Sequence, residues 1–119
     1  MKYLTMIFLH IVDDYYLQGI LANMKQRDWW RQSDQYKDMY AYDYIVALVM
    51  HSFSWAFMVM LPIAISMRFN VSTSFIVILF VNALIHGIVD HLKANKKCIN
   101  LITDQLIHIT QILLTGLYF

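Results

Sequence analysis

Apolar residues run through this chain in four long blocks, at residues 3–24, 42–67, 72–92 and 99–119. Each is close to the ~20 residues an α-helix needs to cross ~30 Å of hydrocarbon. The blocks are interrupted at regular intervals. In the first, His10, Asp14 and Gln18 recur every four residues and so share one helical face. In the third, Asn82, His86, Asp90 and Lys93 form one stripe, and in the fourth Asp104, His108, Gln111 and Thr115 do the same. The second contributes His51, with Ser54 and Trp55 on its face and Pro62 near the far end. The pattern predicts an all-α fold: one domain over residues 1–119, an integral membrane bundle of four transmembrane helices with polar stripes turned inward.

The longest connection, residues 25–44, mixes Trp29, Trp30, Tyr36, Tyr40, Tyr42 and Tyr44 with charges of both signs. Tryptophan and tyrosine favour the headgroup zone, where an apolar ring and a polar tip are both satisfied. The segment reads as an amphipathic interfacial helix between the first two spans; a lid that grips substrate is the alternative.

Composition supports the bilayer. Hydrophobic residues make up 60% of the chain and charged residues 14%, more apolar surface than a globule of this size can hide from water. The net charge of +1 points away from nucleic acid. All the acidic residues are aspartates, and no physical reason for the absence of glutamate is evident. The lone Cys98 forms no internal disulfide and is expected to be a reduced thiol facing the cytosol. His10, Asp13 and Asp14 break the N-terminal apolar stretch and no small-residue cleavage site follows, so a retained helix is expected rather than a signal peptide. Lys25, Arg27, Arg31 and Lys37 in the first link and Lys93, Lys96 and Lys97 in the third outweigh Lys2 and Arg68 on the other side. The positive-inside rule then predicts that these two links are cytoplasmic and that both termini face outward.

Depth decides whether the stripes meet. Counted from the cytoplasmic end of each span, Asp90 and His86 lie ~5 and ~10 Å in, Asp104 and His108 ~7 and ~13 Å, and His51 ~13 Å. Asp14 and His10 lie ~15 and ~20 Å in if the first span ends near residue 24, or ~9 and ~15 Å if it ends near residue 20. All four stripes can converge in the cytoplasmic half of the bilayer. His10, Asp14, His51, His86, Asp90, Asp104 and His108 are therefore candidate metal ligands. Imidazole with carboxylate suits a divalent transition metal, Zn before Mn, Fe or Ni, better than Ca. Seven candidates exceed what one tetrahedral ion needs, so two ions are expected, or one ion with outer partners or substrate contacts. Asp14 and Asp104 are candidate catalytic bases. Lys93 either neutralises an anionic substrate or snorkels to the interface. His91 points away from its neighbours' stripe and reads as an interface residue, while Asp13 and Asp43 read as flanking or secondary groups.

At these residues the chain resembles a family of small bacterial membrane proteins known as domain of unknown function 3307. The resemblance lies in "HIVDDYYLQ", His51 in "VMHSF", "HGIVDHLK" and "DQLIH", whose order and spacing cover nearly the whole chain. It implies a bacterial cytoplasmic membrane protein, with Gln18, Lys93 and Gln105 as supporting polar groups. A more distant similarity to membrane-bound metal-dependent hydrolases implies metal and hydrolysis without naming a substrate.

Three functions fit the pattern. The first is a metal-dependent membrane hydrolase acting on a lipid-like or phosphorylated substrate. The second is a metal-ion or proton transporter or channel, which the apolar outer halves of spans two to four disfavour. The third is a non-catalytic module stapled by metal. Membrane lipids are the expected partners, and the slender bundle is compatible with a homo-oligomer.

Overall fold

The computed structural model describes residues 1–33 and 39–119, and every regular element among them is helical. Helix α1, Lys2–Ile11, runs into a π-helical turn, Val12–Leu17. Two single turns follow, α2 (Leu21–Met24) and α3 (Arg27–Trp30). Three long helices complete the chain: α4 (Asp43–Ser66), α5 (Thr73–Ala94) and α6 (Leu101–Tyr118).

Local chemistry sets the boundaries. Gly19 takes φ +54°, a left-handed conformation that glycine adopts freely, and the chain bends there. The first predicted span is therefore not one rod: its helix stops at Leu17 and resumes as a single turn. Asp43 opens α4, where a carboxylate meets the positive end of the helix dipole. The Ser72 hydroxyl accepts from the Phe75 amide at 3.2 Å, and the Asn100 side chain accepts from Thr103 at 2.9 Å. These two N-caps fix where α5 and α6 begin. Pro62 lies within α4, which continues to Ser66 before Arg68 and Phe69, both at positive φ, reverse the chain.

By length and apolar composition α4 and α5 can cross a membrane. Of the predicted interfacial helix over residues 25–44, the described residues include the one turn of α3, with Trp30 donating its indole N–H to the Met24 carbonyl at 2.7 Å. Tyr36 and Lys37 lie outside the described residues.

The bundle is built around α4, which packs on α1, α5 and α6. At one end its core is wholly apolar, with Met6, Met60, Ile63, Phe75, Leu79 and Ile112 in contact. At the other end the core is polar. Among the described residues twelve polar or charged side chains are buried against thirteen apolar ones, while Phe8, Val49, Phe80, Leu84, Leu114 and Leu117 stand exposed. A protein folded against water has the opposite distribution.

Helices α1 and α6 touch through Gly116, whose carbonyl accepts from Lys2 Nζ at 2.7 Å. A Cβ at this position would lie 2.4 Å from Cε1 of Tyr3. Gly116→Val gains little helix propensity because valine is β-branched, so overpacking dominates at ~1–3 kcal/mol. We expect a lower melting temperature in detergent, restored in part by adding Tyr3→Ala; equal melting of Gly116→Val and wild type would mean that Tyr3 does not hold α1 against α6.

Candidate metal centre

The polar end of the core gathers side chains from α1, the π turn, α4, α5 and α6. His51 Nε2 lies 3.1 Å from His86 Nε2, 3.2 Å from Asp14 Oδ1 and 3.3 Å from Asp90 Oδ2. His86 Nε2 is 3.6 Å from Asp90 Oδ2 and 3.8 Å from Asp14 Oδ1. On the other side of Asp90, His108 Nε2 stands 3.6 Å from its Oδ1 and 3.3 Å from Asp104 Oδ1. Six of the seven predicted ligands thus converge, at the distances that neighbouring ligands on one ion keep. A tetrahedral ion with bonds of ~2.0–2.1 Å has its ligand atoms about 3.3 Å apart.

Hydrogen bonds fix which ring nitrogen faces inward. The indole of Trp55 can only donate, and it donates to His10 Nδ1 at 2.7 Å. His10 Nε2 therefore carries the proton and donates to Gln105 Oε1 at 2.9 Å, leaving Gln105 Nε2 to donate to Asp104 Oδ2 at 3.0 Å. Gln111 Nε2 donates to the backbone and side-chain oxygens of Asn82, so its Oε1 accepts from His108 Nδ1 at 3.1 Å. His108 Nε2 is then a bare lone pair pointing at two carboxylates. Asn82 also donates to Thr115 at 2.8 Å, so the polar stripes of α5 and α6 join each other behind the cluster.

Several expectations need correction or refinement. His10 lies in the wall of the cluster, with Trp55 and Gln105 engaging both its ring nitrogens. Gln18 bonds back to the Asp14 carbonyl instead of supporting the centre. Lys93 is partly exposed and its Nζ donates to Asp104 Oδ2 at 2.9 Å. His91 stacks on Tyr44, with ring centroids 6.3 Å apart. Asp13, read as a flanking or secondary group, is buried; its Oδ1 accepts from Ser54 at 2.7 Å and its Oδ2 lies 3.8 Å from His51 Nδ1. It adds a further negative charge beside the His51 ring. The π turn explains its burial, because i→i+5 bonding fits an extra residue into the turn and lets neighbouring aspartates both face inward.

Lys25 was the larger omission. Assigned by charge count to a cytoplasmic link, it is buried with its Nζ 2.6 Å from Asp90 Oδ2. Asn95 at the end of α5 holds it there, donating to the Lys25 carbonyl at 3.0 Å and accepting from the Arg27 amide at 2.6 Å. No hydropathy signal marks either residue.

Two observations test whether a cation fits. Buried Asp14 Oδ1, Asp104 Oδ1 and His108 Nε2 have no hydrogen-bond partner among the described residues, and all three point into the cluster. Orphaned acceptors of this kind are costly unless something positive meets them. Charge agrees: Asp13, Asp14, Asp90 and Asp104 bring four negative charges and Lys25 and Lys93 return two, so neutral histidines leave a net −2. Four groups of three residues, drawn from Asp13, Asp14, His51, His86, Asp90, Asp104 and His108, each offer ligand atoms within 4.8 Å of one another. The donors suit a divalent transition metal.

No family model matches the chain, and no curated protein or solved structure is significantly similar to it.

Proposed function

We propose that this protein is a metal-dependent membrane hydrolase with its ion held in the polar end of a four-span bundle. The observation that carries the reading is the set of unpartnered imidazole and carboxylate atoms facing one another beneath an apolar exterior. That exterior supports lipid around α1 and α6 as well as around α4 and α5. Asn95 joins the third link to the first, and Lys97 pairs with Asp28 at 3.2 Å, which favours a common side for the two basic links. That side is the cytoplasm on the charge rule, with both termini outward. The resemblance to domain of unknown function 3307 points the same way, to a bacterial cytoplasmic membrane.

The bound ion would polarise the scissile group and lower the pKa of a water towards neutrality. His51, His86, Asp90 and His108 would hold it. Asp104 has Oδ2 committed to Lys93 and Gln105, so Asp14 is the carboxylate better placed to take a proton. Lys93, partly exposed beside Asp104, sits where an anionic head group would approach. A substrate with an apolar tail and a polar or phosphorylated head suits a buried polar cluster that reaches the surface at Lys93. The apolar far end of the core argues against a path through the bundle, and hence against transport.

Elemental analysis of detergent-purified protein should find zinc or another transition metal. Turnover of a lipid and phosphoester panel should vanish in His86→Ala and Asp104→Ala. Bound metal without turnover would leave the stapled module as the better account, and metal flux into proteoliposomes would favour a transporter.

A further inference from the structure

Asp90 turns its two oxygens towards different imidazoles of the cluster. Its Oδ2 meets His51 Nε2 at 3.3 Å and His86 Nε2 at 3.6 Å; its Oδ1 meets His108 Nε2 at 3.6 Å. The ligand groups divide accordingly. His51, His86 and Asp90 make one set, and Asp90, Asp104 and His108 make another, joined at the shared aspartate. The separations between imidazole nitrogens and their partners within the two sets, 3.1 to 3.6 Å, suit ligands of a single small ion.

We propose that the centre takes two divalent transition-metal ions bridged by Asp90, one held by His51 and His86 and the other by His108 and Asp104. This rests on the metal reading above and adds its stoichiometry and ligand partition. Carboxylate-bridged ions ~3.5–4 Å apart are a recurrent arrangement for displacing a leaving oxygen. His86 and His108 have ring centroids 4.2 Å apart, so the two positions are neighbours. Asp14 belongs to a set with His86 and His108 as well as to one with His51, and therefore faces both positions from the opposite wall. The partition also accounts for the lysines. Two ions would reverse the net −2 to +2 with Lys25 and Lys93 in place, and a site of that charge selects a dianionic group such as a phosphomonoester.

The test uses full-length protein in detergent with Mn²⁺ as the probe. Wild type is expected to bind two equivalents and to give the spin-coupled paramagnetic resonance spectrum of a close pair. His108→Ala should bind one equivalent with an isolated-ion spectrum, His51→Ala likewise one, and Asp90→Asn, lacking the shared ligand, should bind neither. A single equivalent in wild type, with an uncoupled spectrum, would overturn the two-position assignment and leave the hydrolase reading standing. Absence of any binding would sink both. The wild-type spectrum decides the matter even if a variant fails to fold.

Discussion

Asp90→Ala is expected to abolish metal binding and to lower the stability of the metal-free protein by ~3–5 kcal/mol, the effect of leaving one member of a buried ion pair alone. Lys25 Nζ sits 2.6 Å from this carboxylate with both groups buried, and no other carboxylate is paired with Lys25 among the described residues. Asp90→Asn separates the two effects. The amide can still accept from Lys25, so it should melt closer to wild type while binding no better than the alanine variant. Thermal unfolding followed by tryptophan fluorescence, with and without added Zn²⁺, gives both quantities. If Asp90→Ala melted with wild type, the Lys25 pair would not be what fastens α2 to α5.

Lys25→Met should act with opposite signs on the two states. Without metal it lowers the net charge of the cluster from −2 to −3 and leaves Asp90 Oδ2 without its ammonium, so the melting temperature falls. With metal the competing cation is gone, and affinity should rise by ~10-fold or more, worth about 1.4 kcal/mol of added stabilisation at saturating ion. Methionine keeps the length and apolar stem of the side chain, so packing around α2 changes little. Competition with a chromophoric chelator measures the affinity. Weaker binding in Lys25→Met would mean that the lysine shapes the ligand set instead of competing for it.

The polar face of each helix was legible because spacing reports the face directly. His86 and Asp90, or Asp104 and His108, sit four apart on regular helices and meet as their spacing predicts. Spacing does not report what each atom finds there. His10 keeps the same interval from Asp14, yet Trp55 and Gln105 engage its nitrogens first. Lys25 was hidden for a different reason. A charge in a link between apolar blocks reads as solvated, and only the Asn95 strap, a contact across 70 positions of sequence, folds it back over the site. The continuous first span failed on Gly19, whose glycine was visible but whose left-handed conformation was not.

The π turn at Val12–Leu17 holds one residue more than an α-helical turn, which advances one flank about a quarter of a revolution against the other. Tyr3 and His10 on the upstream flank and the aspartate pair on the downstream flank consequently keep different clocks. Any comparison that slides a rigid helical template along this segment can match one flank or the other, and recovers both only by admitting a single-residue gap between them.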